Sequence, residues 1–337
     1  MAKRKGQEGQ IKRLLKILPT AILVMIICVG VLLGVLIETG RLSLSDVQQT
    51  MGFAPSESTA AGNTIPEAAK DFAVHVIDVG QGDSILITAG GKSILIDAGE
   101  KEYGSRVVSF IRDKGIERLD YIIATHPHAD HIGGMAEVVS EIGADRIIVP
   151  KLPDDMVPTT RVYENFLKAV KNGGMKLTAA KAGTVYDISD IGGIPVRMTV
   201  LAPDDNADFD DLNDFSVCVR IDFDRISWLL TGDLSEDGEA ALVNSGRDID
   251  VTAYKVGHHG SATSSTDKFL KKVTPRLCVI SCGEGNSYGH PTQAALDRLL
   301  EYTSSIYRTD LNSTVSVYSD GQRLYVTKTE QGGRLIC

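Results

Sequence analysis

The chain has 337 residues, 43% hydrophobic and 23% charged, with 33 Gly and 11 Pro. This is enough for one large domain or two small ones, and it excludes intrinsic disorder and collagen-like repeats. The formal charge is -9, but residues 1–16 carry Lys3, Arg4, Lys5, Lys12, Arg13 and Lys16 against Glu8, so the acidic remainder offers no general electrostatic grip on nucleic acid. Ile17 to Ile37 then reads ILPTAILVMIICVGVLLGVLI, an uncharged run of the roughly 20 residues that span a bilayer as a helix. It is longer than the apolar region of a signal peptide and ends in Glu-Thr-Gly-Arg rather than a small-x-small site, which favours an uncleaved anchor. The positive-inside rule keeps residues 1–16 in the cytoplasm and places the bulk of the chain outside the cell. Residues 38–70, rich in Ser, Thr and Ala without sustained periodicity, read as a flexible linker.

Beyond the linker, short β-branched runs alternate with amphipathic stretches. Strands are predicted over 72–79, 84–88 and 93–97, the last two joined through Gly90-Gly91. A helix over 104–114, a strand over 119–125, a helix over 133–141, a strand over 146–150 and a helix over 160–172 follow. The second half repeats the logic, with strands near 195–201, 215–223, 226–231, 249–256, 276–281 and 305–309 and helices near 236–245, 265–273 and 292–303. A last hairpin turns on Asp320-Gly321. Two β-rich halves, each covered by helices, predict an α/β four-layer sandwich over 71–330, followed by a tail at 331–337. The five cysteines, Cys28, Cys218, Cys278, Cys282 and Cys337, fit neither a disulfide framework nor a paired zinc site. Cys278 and Cys282 could pair if oxidised, but the reading as buried thiols is favoured.

Chemistry concentrates at strand ends. His126, His128, Asp130 and His131 fall within six residues, after an apolar strand and before Gly133-Gly134. Alternation points His126 and His128 to one side, towards one ion, and turns Asp130 and His131 towards a second. Bound cations would also supply the positive charge that the acidic body lacks for a phosphate-bearing substrate.

With this motif the chain resembles the metallo-β-lactamase-like hydrolase superfamily from residue 72 to about 328. The resemblance implies a four-layer αββα sandwich, here preceded by one N-terminal transmembrane helix, and a pair of divalent ions, Zn²⁺ or Mn²⁺. Ile-Asp-Ala-Gly (96–99) matches its first motif, with Asp97 supporting the metal site, and Leu-Leu-Thr-Gly-Asp (229–233) supplies Asp233 as a carboxylate shared by both ions. Lys-Val-Gly-His-His-Gly (255–260) offers His258 or His259 to complete the second site; His258 is slightly preferred, leaving the other for substrate contact or proton donation. His290 approaches from the rim. The third imidazole that many relatives place on the first ion is missing, and Asn213, Asp214 or water would stand in, which favours Mn²⁺ somewhat.

A narrower resemblance joins Asp-Val-Gly-Gln-Gly-Asp-Ser (78–84), the Asn-x-x-Ser-Val stretch from Asn213, Gly-Asp-Leu after Thr231 and Gly-His-His-Gly-Ser (257–261). These are similar to the extracellular hydrolase-like domain of ComEC-type competence proteins, without their many-helix channel. The resemblance implies a membrane-anchored, outward-facing phosphodiesterase or nuclease in which a metal-bridging hydroxide attacks phosphorus. Asp130, His258, His259 and His290 are the catalytic candidates. Asp78, Asp83 and Ser261 join Asp97, Asn213 and Asp214 as supporting or substrate-contacting residues, with Asp83 favoured on its loop. The expected partners are the membrane, DNA or another phosphodiester, and a DNA-uptake channel. The rivals are hydrolysis of another surface ester, such as a phosphocholine or teichoic-acid phosphodiester or a lactone, and a non-catalytic metal-binding module.

Overall fold

The computed structural model describes residues 65–330 and 334–336. The basic segment 1–16, the apolar run 17–37 and nearly all of the linker 38–70 lie outside the described residues, as do 331–333 and 337. Among the described residues no helix is long and apolar enough to cross a membrane.

Strands β1 (Phe72–Val76), β2 (Ile85–Ala89) and β3 (Lys92–Ile96) form an antiparallel meander. Helix α1 (Gly104–Asp113) then crosses to β4 (Leu119–Ile123). Helices α2 (Ala129–Ile132) and α3 (Met135–Glu141) lead to β5 (Ala144–Val149), and α4 (Arg161–Asn172) leads to β6 (Leu177–Ala179). From β3 to β6 every pairing is parallel, as helical crossovers dictate. A second meander, β7 (Val185–Ile191), β8 (Ile194–Ala202), β9 (Cys218–Phe223) and β10 (Ile226–Leu230), is again followed by parallel crossovers. These run through α5 (Glu236–Asn244), β11 (Ala253–Lys255), α6 (Asp267–Val273), β12 (Leu277–Ile280), α7 (Gln293–Leu300) and β13 (Ile306–Arg308). After the short α8 (Thr309–Asn312), β14 (Val315–Ser319) and β15 (Leu324–Glu330) return to pair beside β1. Strand β16 (Arg334–Ile336) extends that edge into residues read from sequence as a tail.

One sheet therefore runs β16-β15-β14-β1-β2-β3-β4-β5-β6 and the other β13-β12-β11-β10-β9-β8-β7. Alternation along the strands distributes their side chains. Ile94, Ile123 and Ile148 meet Val196, Trp228 and Leu230 of the other sheet in a shared core. Leu95 and Ile122 instead pack outwards on Val107, Val138 and Phe166 of α1, α3 and α4. Leu229 packs on Leu242, Phe269 and Leu299 of α5, α6 and α7. These clusters make the four α/β/β/α layers. Strands β6 and β7 were not expected from sequence: both are edge strands, β7 buries only Ile188, and its Asp187 and Asp190 give it the polarity of a loop.

Candidate metal centre

In an open α/β sheet, ligand-binding loops follow the carboxyl ends of parallel strands, and here both sheets bring such ends to one edge. The loop after β3 carries Asp97, the loop after β4 carries His126 to His131, and those after β10, β11 and β12 carry Asp233, His258 with His259, and His290. Six of the seven histidines gather there. The seventh, His75, lies in β1 against Ser316 Oγ at 2.7 Å.

Asp130, His131, Asp233 and His259 place ligand-type atoms within 4.8 Å of one another. Asp233 Oδ2 is 3.2 Å from His131 Nε2 and 3.3 Å from His259 Nε2, and Asp130 Oδ2 is 3.4 Å from His259 Nε2. His131 Nε2, His259 Nε2 and Asp233 Oδ1 are buried without a hydrogen-bond partner among the described residues. Burial opposes a charge on His131, yet the Asp233, Asp130 and Asp97 carboxylates outweigh it and raise the imidazole well above its ordinary value. His259 is raised likewise, with Asp233 the chief opponent of burial. A site that concentrates this much negative field around unpartnered imidazole nitrogens fits a divalent cation, which would satisfy both. His126 and His128 adjoin this group, with His126 Nε2 3.1 Å from His128 Nδ1 and the rings of His126 and His131 4.1 Å apart. Burial, reinforced by the proximity of His131, holds the His126 imidazole well below its usual range and therefore neutral, the form that ligates metal.

The surrounding residues fix these side chains. Asp97 accepts the Thr125 backbone N–H at 2.8 Å and its hydroxyl at 2.6 Å, and holds His131 Nδ1 at 2.7 Å, leaving Nε2 to face Asp233. Ser216 Oγ accepts the Asp233 N–H at 3.1 Å and lies 3.3 Å from His126 Nδ1. Behind His259 a fully buried Lys255 pairs with Asp83 at 2.9 Å, and Asp83 Oδ1 lies 3.5 Å from His259 Nδ1, which also faces the Ser281 carbonyl at 3.0 Å. Burial would raise the Asp83 pKa, but Lys255 and His259 hold it down at about 2. Two glycines permit the close approach. A Cβ on Gly82, at φ 131°, would stand 2.2 Å from the Asp130 carbonyl oxygen, and one on Gly232 would meet Ser216 and Thr125 at about 3 Å.

A cleft of about 330 Å³ opens over the group, lined by His128, Asp130, Asn213, Asp233, His258 and His259. Sequence left His258 and His259 as alternatives with a slight preference for His258; in the structure His259 joins the group of ligand-type atoms, and His258 Nε2 stands 3.8 Å from Asp233. The difference follows from the backbone, which is left-handed at both residues (φ 49° and 54°), turning His259 inwards and leaving His258 facing the cleft. Two adjacent non-glycine residues held there store on the order of 1–3 kcal/mol each, a cost that tends to collect at functional sites. His290 meets His258 edge to face at the rim, 5.8 Å between centroids.

Of the two candidate stand-ins for the missing imidazole, Asn213 lines the cleft with its buried Oδ1 unpartnered. Asp214 is turned away, its Oδ1 accepting the backbone N–H of Ser235 at 2.8 Å and Gly238 at 3.1 Å at the start of α5. Asp78 does not line the cleft and is tied to the Gly80 N–H at 3.1 Å, with Arg106 at 3.9 Å. Ser261 bonds to Thr263 and does not line the cleft. Sequence reasoning gave no role to Lys255, Ser216 or Tyr288. A lysine inside the apolar strand Ala253–Lys255 was the available signal, because a buried cation requires a paired anion. Cys218, Cys278 and Cys282 are free buried thiols.

A family model described as the metallo-beta-lactamase superfamily matches residues 77–284. Among curated proteins, the chain is 33% identical over 264 residues to ComE operon protein 3 of Bacillus subtilis, covering 72% of this chain and 32% of that protein. It is 29% identical over 256 residues to the competence protein ComA of Neisseria gonorrhoeae (74% and 32%) and 28% identical over 258 residues to recombination protein 2 of Haemophilus influenzae (75% and 29%). The matched region spans about a third of the length of these relatives.

Proposed function

The chain belongs to the metallo-β-lactamase superfamily, as a metal-dependent hydrolase related to ComEC-type competence proteins, and from that premise we propose that it is a membrane-anchored, outward-facing phosphodiesterase, acting as a nuclease. The observation that carries the reading is the convergence of unpartnered His131 Nε2, His259 Nε2 and Asp233 Oδ1 beneath an open cleft.

His126, His128 and Asn213 would hold one ion, Asp130, His131 and His259 the other, with Asp233 shared. Bound Zn²⁺ or Mn²⁺ supplies the Lewis acidity that stabilises charge on a phosphate and acidifies water. The chain's own residues do the rest. Asp97 and Asp83 keep His131 and His259 oriented, and Ser216 fixes the Asp233 backbone next to His126. His258 and His290 face the cleft without entering the ligand group, so either is placed to hand a proton to a leaving alkoxide. Burial, aided by His259 and His258, lowers the His290 pKa, which makes His290 a readier donor once protonated.

The test is metal analysis of the full chain in detergent, coupled to assays on a bis-aryl phosphodiester, single-stranded DNA and a lactone. Metal-dependent turnover of the phosphodiesters is expected. Turnover of the lactone alone would replace the substrate class, and bound metal without turnover would make the domain a binding module. Protease added to intact cells should remove the domain; protection until lysis would reverse the orientation drawn from Ile17–Ile37.

A further inference from the structure

At the mouth of the cleft an aromatic side chain stands largely in solvent. Tyr288 is 68% exposed, yet it lines the same cleft as Asp233 and His258. Its ring stacks on His290, 5.8 Å between centroids at an interplanar angle of 25°. His290 in turn meets His258, whose Nε2 is 3.8 Å from Asp233. A continuous path of rings thus leads from the carboxylate at the candidate metal centre to an open aromatic face at the rim.

The loop that carries these rings is tied down. Asn286 accepts the His290 N–H at 3.0 Å and donates to the carbonyls of Gly283 and His290. Gln81 accepts the Gly283 N–H at 3.2 Å, joining the loop to the glycine-rich turn before β2. A ring displayed on a braced loop loses little freedom when something stacks on it.

The cleft's charge says what that something is. Among the described residues its lining contains carboxylates and imidazoles but no Lys or Arg, so none of them tracks a run of phosphates. A strand bound at such a site draws its affinity from bound cations at one phosphate and from flat neutral surface beside it. Base stacking on an aromatic side chain supplies the second contribution and tolerates any sequence, since every base has a π-face.

We propose that Tyr288, backed by His290, is a nucleobase-stacking subsite that seats the base next to the scissile phosphodiester, so that the enzyme selects unpaired nucleotides. This rests on the phosphodiester reading of the centre, and the experiment separates the two. Fluorescein-labelled oligodeoxyadenylate and an abasic strand of equal length, both as phosphorothioates, are titrated against the full chain in detergent with Mn²⁺ and followed by anisotropy. Cleavage is measured separately on the phosphodiester forms.

The wild type should bind the base-bearing strand about tenfold more tightly than the abasic one. Tyr288→Ala should lose that preference and Tyr288→Phe keep it, because the ring and not the hydroxyl is the contact. The preference itself should change little with salt, unlike phosphate-driven binding. Equal affinity of the wild type for the two strands, or no binding of either, overturns the subsite, as does an equal loss on both strands in Tyr288→Ala. Base preference without cleavage would leave the subsite standing and remove the nuclease; cleavage without base preference would do the reverse.

Discussion

His258 and His259 are adjacent in sequence and different in consequence. His259 is buried, its Nδ1 set against Ser281 and Asp83 and its Nε2 among Asp130 and Asp233, whereas His258 faces the cleft. His259→Ala should therefore remove one metal equivalent, and His258→Ala should keep both while lowering kcat by about 10²–10⁴-fold, the usual contribution of a general acid or base. Asp233→Asn, which weakens the carboxylate proposed to be shared, should reduce occupancy of both ions. Elemental analysis beside steady-state kinetics distinguishes the cases. Full metal content in His259→Ala, or loss of a metal in His258→Ala, would exchange the two assignments. Lys255 belongs to the same logic at one remove. Replacing it with Met would leave Asp83 buried without its cation, a change that typically costs about 3–5 kcal/mol, and would free Asp83 to pull on His259.

Asn213 and Asp214 make the same contrast for an element. They share the 3-10 turn Leu212–Phe215, which is pinned when the Asp211 side chain accepts the Asn213 N–H at 2.9 Å. Helix α5 opens at Ser235 with no side-chain cap of its own, and Asp214 takes over that duty from a distant turn. Asp214→Ala should thus cost about 1–2 kcal/mol of stability by denaturant titration and leave metal content intact. Asn213→Ala should do the opposite, weakening one ion while leaving the denaturant midpoint of the metal-free chain unmoved. An Asp214 variant that lost metal first would return that residue to the site. The strand-end loops were legible because an apolar run followed by His-x-His-x-Asp-His, or by Thr-Gly-Asp, carries its meaning within a few residues. What an acidic residue near such a loop does was not legible. Asp214 caps a helix more than twenty residues on, and the choice between His258 and His259 depends on a left-handed backbone that has no sequence period. Strand β7 stayed hidden for a related reason: an edge strand needs only one buried side chain, and Ile188 alone makes no pattern.

The whole domain assembles the centre from two sheets that share a core. His126 to His131 and Asp97 come from the loops of the first sheet, and Asp233, His259 and Asn213 from those of the second, so only the folded chain presents both sets at once. Metal binding must then stabilise the fold by mass action, by about 2.7 kcal/mol for each site held at 100 times its Kd. For a domain of this size that corresponds to a rise in Tm of roughly 2–4 °C per kcal/mol. In the proposed two-ion centre the ions should not contribute alike. Asp130, His131, Asp233 and His259 form a compact ligand group, whereas His126 and His128 bring two imidazoles and the weakly donating amide of Asn213. Dialysis against a mild chelator should therefore strip the metals in two steps, the ion at His126 and His128 leaving first and taking activity with it, while much of the Tm gain persists until the second leaves. Mn²⁺ should restore turnover better than Mg²⁺, which accepts imidazole ligands poorly. Scanning calorimetry of the full chain at each stage, with metal content measured alongside, gives the answer. A Tm unmoved by complete metal removal would mean that unfolded and folded chains bind the ions equally, so that the two sheets do not build the site together.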